Sequence, residues 1–176
     1  THAGKVYTTV QIGSQCCLRE NLDVGTFING AQNQTNNGTI EKYCYDNSES
    51  NCVIYGGLYQ WNEMMNYNST EGGQGICPDG WHIAMNSEWD TLGEFLGGYY
   101  EAGGKMKSTG TIEEGTGLWY QPNEGATNES GFSGYPSGFW HDGFYELGEQ
   151  TIYWTSTSYN NLGSNRQMVN YNSHLH

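Results

Sequence analysis

The sequence predicts an α+β fold in which one or two helices pack on small, twisted antiparallel sheets joined by long loops. The chain has 176 residues, which is enough for one domain with a proper core and too few for two. One segment shows the apolar spacing of an amphipathic helix, whereas several later segments alternate apolar and polar residues as strands do. With 26 glycines, these segments are short and interrupted by turns.

The first element is predicted to be a strand within "KVYTTVQIGSQCCL". Val6, Thr8, Val10 and Ile12 recur at every second position, which places them on one face of an extended chain. The following "NGAQNQTNNGTIEKY" is rich in Asn, Gly and Gln and is predicted to be a loop. The next apolar segment, "GLYQWNEMMNY", predicts one or two helical turns with one apolar side, made of Leu58, Trp61, Met64 and Met65.

The segment "SEWDTLGEFLGG" gives the strongest helix prediction in the chain. We expect Ser87 to cap it and Asp90, three residues on, to complete a variant of the capping box. Gly97 and Gly98 should end it. Its buried stripe is predicted to consist of Trp89, Leu92, Phe95 and Leu96.

The remaining segments are predicted to be strands of a twisted antiparallel sheet. They are "GLWYQPN", "SGFSGYPSGFWHDGFYELG", "TIYWTSTSY" and "RQMVNYNSH". The chain contains no internal repeat and no composition change that would mark a boundary. We therefore predict a single domain over residues 1–176.

The charge balance argues against nucleic acid and anionic membranes as partners. Acidic residues outnumber basic ones 19 to 6, for a formal net charge of −13. Such a chain repels phosphate groups. No apolar run approaches the roughly 20 residues that a membrane-spanning helix needs. With 14% charged residues, solubility depends on Asn, Ser, Thr, Gly and Gln, which suits a loop-rich extracellular domain.

The five cysteines are Cys16, Cys17, Cys44, Cys52 and Cys77, and none forms a C-x-x-C pair. Neither a zinc knuckle nor a thioredoxin-like motif is therefore indicated. Cys44 and Cys52 flank the polar, turn-prone "YDNSESN", and we predict a disulfide between them. The odd number leaves one thiol free or paired outside this sequence.

No catalytic or metal motif stands out. His82 and Cys77 invite a catalytic interpretation, but no G-x-S-x-G or H-E-x-x-H pattern is present, and no basic residue lies beside Cys77 to lower its pKa. Gln121–Asn123 is similar to the calcium-holding tripeptides of some C-type lectins, although their later Trp-Asn-Asp partner is absent. "DNSESN" lacks the spacing of an EF-hand loop. We predict no cofactor and no metal ligand, and we leave open whether a structural calcium ion binds.

The late segments have the composition of a binding surface. They combine Tyr, which gives large contact area at low entropic cost, with Asn and Ser, which adapt their hydrogen bonds. Aromatic rings beside polar side chains are also what sugar-binding sites need. A polar edge strand with its loop explains this composition equally well. The predicted ligand-binding residues are Trp140, His141, Tyr159, Asn160, Asn161, Asn165, Arg166, Tyr171, Asn172 and His174.

The order of motifs along nearly the whole chain resembles the Fibrobacter succinogenes major paralogous domain family. The motifs are "GKVYTTVQIGSQCCLRENLDVGTFING", "CYDNSESNCVIYGGLYQWNEMM", "GICPDGWHIAMNSEWDTLGEFLGG", "GGKMKSTG", "GATNESGFSGYPSGFW" and "YWTSTSY". The resemblance implies a C-type lectin-like fold and a place on exported and surface proteins of Bacteroidetes and Fibrobacteres. Similar domains serve as variable proteins of diversity-generating retroelements, which vary toward the C-terminal end.

Two departures from the family bear on the fold. Family members usually continue into a last strand with a Ser-Val-Arg-Cys type ending, which pairs near the N-terminal strand. The resemblance therefore implies an unpaired strand edge and a missing partner for Cys77 here. Cys17 stands where the family tends to have an aromatic residue. The catalytic cysteines of the related formylglycine-generating enzymes lie late in the chain, whereas every cysteine here lies in the first half.

We expect an extracellular or cell-surface domain without enzymatic activity, which binds a glycan or a surface protein through its C-terminal loops. The alternative is a structural subunit of a surface appendage or filament, in which the open edge accepts a strand from a neighbour. The two hypotheses differ in whether the domain self-assembles.

Overall fold

A computed structural model describes residues 1–160 and 162–176. The chain begins with a hairpin of β1 (Thr9–Ile12) and β2 (Gln15–Leu18), paired antiparallel from Thr9 opposite Leu18 to Ile12 opposite Gln15. Gly13 supplies the positive φ of 58° that the two-residue turn requires. The alternation thus predicted a strand of which β1 contains Val10 and the buried Ile12, whereas Val6 and Thr8 precede β1 and are exposed.

The next segment combines short strands with two short helices. Strand β3 (Thr26–Phe27) pairs in parallel with β4 (Glu41–Lys42). Helix α1 (Glu49–Tyr55) follows a single 3-10 turn, and α2 (Trp61–Met64) is the helical turn predicted in "GLYQWNEMMNY". The predicted Cys44–Cys52 disulfide is present. Part of the expected polar loop between these cysteines is helical, because Cys52 and Tyr55 bury one face of α1.

Helix α3 (Asn86–Phe95) confirms the main helix prediction but not its cap. The helix begins before Ser87, which is exposed, so Ser87 does not cap it. Instead the Glu88 carboxylate accepts the Met85 N–H at 2.8 Å, and the Thr157 hydroxyl accepts the Asn86 N–H at 3.0 Å. Asp90 takes no part in the cap, since its carboxylate binds Arg166. Thr157, far along the chain, therefore supplies a hydrogen-bond acceptor for the first turn of α3 that Ser87 was expected to supply.

The buried stripe of α3 consists of Trp89, Leu92 and Leu96, as predicted, but Phe95 is 64% exposed. Its ring lies over Gly13 in the first hairpin turn rather than in the core. Gly97 and Gly98, with φ of 104° and 94°, end the helix as expected.

Helix α4 (Tyr99–Met106) follows at once, although the sequence predicts no helix there. It contains Gly103 and Gly104, which are poor helix formers. A Cβ at Gly103 would collide with the His174 carbonyl, and one at Gly104 with the Gly125 carbonyl. The glycines are therefore required by close backbone packing, which outweighs their low helix propensity.

The largest sheet has the strand order β6-β5-β7-β8. Its strands are β5 (Ser137–Trp140), β6 (Phe144–Leu147), β7 (Gln150–Tyr159) and β8 (Leu162–Val169). The prediction of a purely antiparallel sheet needs correction, because β5 pairs with β7 in parallel at Gly138 and Thr151. "GLWYQPN" forms no strand, and Trp119 makes only an isolated bridge to Thr111.

After β8 the chain turns back and covers the outer edge of that strand. The backbone groups of His176 and Gln167 exchange two hydrogen bonds of 3.0 Å, and the Leu175 N–H bonds to the Tyr99 carbonyl at 2.9 Å. Leu175 is buried in the larger core cluster with Trp89, Leu92 and Met168. The second half of "RQMVNYNSH" is therefore an irregular segment that α4 and β8 hold in place.

The α+β fold class, with small sheets and few helices, is confirmed. The larger core cluster lies among α3, α4, the first hairpin and β8, and a second surrounds Trp61, Met64 and Ile83. Within residues 1–160 and 162–176, no helix has the length and apolar character needed to cross a membrane.

Candidate functional site

The predicted ligand-binding residues lie in three separate places on the described surface. Tyr159 and Asn160 lie at the tip of the β7–β8 hairpin, whereas Tyr171, Asn172 and His174 follow its other end. Because β7 has 10 residues, the two ends are about 30 Å apart at roughly 3.3 Å per residue. Trp140, His141 and Asn165 line a cleft. The predicted residue Asn161 lies outside the described residues.

The hairpin tip consists here of Tyr159, Asn160 and Leu162. Tyr159 is 79% exposed, and Leu162 is exposed as well. Neither Tyr159 nor Asn160 makes a side-chain hydrogen bond to another described residue. Among the described residues, the tip thus presents apolar area to solvent without a side-chain hydrogen bond that would orient Tyr159 or Asn160.

The cleft has a volume of about 460 Å³ and is lined mainly by aromatic and aliphatic side chains. Trp140 stacks on Tyr43 with ring centroids 4.4 Å apart, and its indole N–H bonds to the Gly30 carbonyl at 3.1 Å. The indole N–H of Trp154 bonds to the Tyr59 carbonyl at 2.7 Å. Hydrogen bonds to backbone carbonyls therefore fix Trp140 and Trp154 in the wall of the cleft.

One wall of the cleft is a strand edge. β7 pairs with β8 along one edge, whereas on its other edge the only strand pairing in the described chain is Thr151 with Gly138. Further along that edge the Ser156 N–H bonds to the Ala84 carbonyl at 2.9 Å. Ile152, Tyr153 and Trp154, between these points, line the cleft.

Arg166 and Asp90 link β8 to α3. A guanidinium nitrogen of Arg166 lies 2.7 Å from the Asp90 carboxylate and 3.5 Å from the Asn86 carbonyl. The cationic group that the sequence suggested for ligand contact is thus already engaged within the domain.

The third place is a surface that we call the platform, made of Tyr99, Tyr100, His174 and His176. Tyr99 meets Tyr100 edge to face with centroids 5.0 Å apart, and its ring lies 5.2 Å from His174 and 5.3 Å from His176. Tyr100 and His174 also meet edge to face at 5.0 Å. Tyr100 is 70% exposed and Tyr99 47%.

Sequence reasoning found only one platform residue, His174. Tyr99 and Tyr100 belong to α4, which the sequence does not predict, and they meet the tail across more than 70 positions. The only local signal is a tyrosine pair directly after the glycines that end α3.

Hydrogen bonds orient the platform rings. The Asn172 amide oxygen accepts the His174 N–H at 2.9 Å, which assigns its NH₂ group as the donor to His176 Nε2 at 3.3 Å. His176 Nδ1 therefore carries the proton in the neutral ring and donates to the Tyr99 hydroxyl oxygen at 2.6 Å. Burial, and then the neighbouring His174, lower the pKa of His176.

Lys107 anchors the chain beneath this surface. Its side chain is fully buried, and its ammonium donates to the carbonyls of Glu124, Val169 and Asn172 at 2.8 to 2.9 Å. Burial lowers the pKa of Lys107 to about 8, so the ammonium form predominates at pH 7. One cation thus joins the end of β8, the tail and the loop before β5.

Three thiols line or border a second space of about 620 Å³, next to the cleft. Burial raises the pKa of Cys77 to about 12 and that of Cys17 to about 11. His82 lies 2.9 Å from the Glu88 carboxylate. These raised pKa values keep the buried Cys77 and the partly buried Cys17 protonated at neutral pH, so neither thiol is prepared for nucleophilic attack.

Asn123, from the tripeptide that is similar to the calcium-holding tripeptides of some C-type lectins, has a structural role. Asn123 is buried, and its amide donates to the Ser108 and Gly110 carbonyls at 3.0 Å. Among the residues that the structure describes, no group of three or more His, Cys, Asp or Glu side chains could hold an ion.

Comparison with known proteins places the chain. The family model described as Fibrobacter succinogenes major domain matches residues 10–175. The chain belongs to this family. The match begins within β1 and includes α1 to α4 and the late sheet, and it covers the cleft, the hairpin tip and the platform except His176. No curated protein and no solved structure matches the chain.

Proposed function

We propose that this domain of the Fibrobacter succinogenes major domain family is a recognition module without enzymatic activity. It acts outside the cell or on the cell surface, and its ligand is a glycan or a surface protein. The contacts come from the late loops and from the α4 tyrosines beside them. The observation that carries the proposal is the exposure of large aromatic side chains on a fixed backbone, above all Tyr99 and Tyr100.

Exposed aromatic rings are informative when they cluster. Single exposed apolar residues are normal on a protein surface, but neighbouring aromatic rings next to polar groups are typical of interaction sites. The platform is such a cluster, because its aromatic rings contact one another and include the hydrogen-bonded polar atoms of Tyr99 and His176.

A disulfide bond supports the extracellular location, because disulfides form in an oxidising environment. The Cys44–Cys52 disulfide closes a short loop and leaves both sulfurs buried. Disulfides persist in exported proteins and are rare in the reducing cytosol. The raised pKa values of Cys17 and Cys77 support the proposal that these two thiols perform no nucleophilic chemistry.

Binding is tested with the fluorescently labelled domain on a printed array of glycans and on a panel of purified bacterial surface proteins. We expect the Tyr159→Ala/Tyr171→Ala double variant to lose binding while its melting temperature falls by no more than a few degrees. The matched control is Tyr145→Ala, which removes an exposed tyrosine of β6 and should bind normally. Unchanged binding by the double variant would show that the late loops are not the contact surface.

A second candidate, a structural subunit that assembles by strand addition, is favoured by the open edge of β7. On the edge of β7 that faces away from β8, Ile152 to Trp154 border a cleft rather than a second strand. An extended segment from a neighbour would pair with the backbone groups on that edge. Light scattering coupled to size-exclusion chromatography tests this. Assembly predicts a mass that grows with protein concentration, whereas a monodisperse monomer at millimolar concentration rules it out.

A further inference from the structure

From the geometry of the platform we infer a binding site for a neutral oligosaccharide. Tyr100 offers the ring face for a sugar, and the Tyr99 hydroxyl and the His174 imidazole offer the hydrogen bonds. The inference rests on the proposed recognition function and narrows its ligand to one class.

The shape of the platform suits a sugar ring. A pyranose has an apolar C–H face and a rim of hydroxyl groups, so it needs an exposed aromatic face beside directional polar atoms. Tyr100, which is mostly exposed, stands edge to face with both Tyr99 and His174 at 5.0 Å. The ring that offers the aromatic face and the two rings that carry the polar atoms therefore lie next to one another, with centroids 5.0 Å apart.

The backbone under the platform is held before any ligand arrives. The Tyr99 carbonyl accepts the Leu175 N–H at 2.9 Å, and the Tyr100 carbonyl accepts the Ser173 hydroxyl at 2.6 Å. The Gly104 N–H bonds to the Ser173 carbonyl at 2.9 Å. α4 and the tail thus form one unit, and little ordering of the chain opposes binding.

The hydrogen-bond network leaves a donor free at the surface. Because the Asn172 amide donates to His176 Nε2, His176 donates through Nδ1 to the Tyr99 oxygen. The Tyr99 hydroxyl hydrogen is then not used toward His176 and can donate to a ligand hydroxyl. His174 adds a donor and an acceptor, since its ring makes no side-chain hydrogen bond to a described residue.

Charge selects neutral over acidic glycans. The platform consists of two tyrosines and two histidines without a lysine or arginine, and the whole chain has a formal charge of −13. Uronic or sialic acid groups would meet a repulsive field with no cation on the platform to pair with.

The experiment titrates the intact domain with cellotetraose, xylotetraose, mannotetraose and chitotetraose, and with tri-galacturonate as the acidic probe. Binding is followed by isothermal calorimetry and by chemical shifts of the tyrosine rings. We expect one or more neutral probes to saturate, and Tyr100→Ala to weaken that binding at least tenfold. Tyr99→Phe, which keeps the ring and removes the hydroxyl, should weaken it severalfold. Tyr145→Ala, at the exposed tyrosine of β6, should leave it unchanged.

The outcomes separate this inference from the recognition function. If Tyr100→Ala binds a neutral probe as well as the unchanged domain does, the sugar site lies elsewhere and the inference fails. It also fails if no neutral probe saturates by 10 mM or if the acidic probe binds more tightly. Binding to surface proteins alone would sustain the recognition function and reject the sugar site. Because Tyr100 is exposed, loss of fold does not confuse the result, and circular dichroism of each variant checks this.

Discussion

The two ends of the β7–β8 hairpin differ sharply in how they are held. At the tip, Tyr159 and Leu162 project into solvent, and Tyr159 makes no side-chain hydrogen bond to a described residue. At the base, Lys107, Leu175 and the His176 backbone fix the chain from three sides. Both ends expose tyrosines, yet only the base orients them. Binding to aromatic area on an anchored backbone needs less ordering of the chain than binding to the same area on the tip.

The stability of the chain at the base of the hairpin depends on one buried group, the Lys107 ammonium. The three carbonyls that it binds belong to the end of β8, at Val169, and to two segments outside the strands, at Glu124 and Asn172. A buried charge is tolerated only when its hydrogen bonds are satisfied, so the carbonyls and the ammonium require each other.

The largest effect is expected from Lys107→Met, which keeps the aliphatic length and removes the donors. Three carbonyls lose their partner, and we expect a loss of about 3–5 kcal/mol in the free energy of unfolding, measured by urea denaturation. Lys105→Met is the matched control, because Lys105 is half-buried and forms a single pair with Glu101; its cost should stay below about 0.5 kcal/mol. Equal effects of the two variants would mean that Lys107 is no anchor.

A smaller contrast is expected between two leucines, one at each end of the hairpin. Leu175→Ala empties a core position and should cost about 2–4 kcal/mol. It should also speed hydrogen exchange at residues 172–176, since the Leu175 N–H bond to Tyr99 would loosen. Leu162→Ala removes an exposed side chain and should cost less than about 0.5 kcal/mol. If Leu162→Ala lowers the free energy of unfolding as much as Leu175→Ala does, the two ends are not held differently.

The smallest effect is expected from pH. The pKa of His176 is lowered in the fold, so between that value and the unfolded value near 6.5 the unfolded chain binds more protons. The contribution of His176 to stability is thus present above about pH 6.5. It is lost as the pH falls through the folded pKa, because a protonated Nε2 would face the Asn172 NH₂ group.

Stability measured at pH 7.5 and pH 5 should therefore show a loss that is reduced in His176→Asn. The same acidification should release the Tyr99 ring, visible as a shift of its NMR signals, whereas the Tyr159 signals stay in place. A Tyr159 response equal to that of Tyr99 would contradict a base-specific contact.

Local patterns determined a large part of the fold. Alternation located the first hairpin and β7, the apolar spacing located α3, and two glycines marked its end. The Cys44–Cys52 pair was predictable because it closes a short loop. Each of these features depends on residues within about ten positions, where geometry follows directly from spacing. The same patterns indicated which late residues are polar and aromatic.

Only the tertiary structure decided where those residues lie and which of them act together. α4 forms although it contains Gly103 and Gly104, because the His174 and Gly125 carbonyls leave no room for a Cβ. Phe95 turns to the surface over Gly13, and Thr157 rather than Ser87 bonds to the start of α3. The platform joins Tyr99 to His176 across the chain. Contacts between distant segments leave no periodic trace in the sequence, so packing alone, and not spacing, determines them.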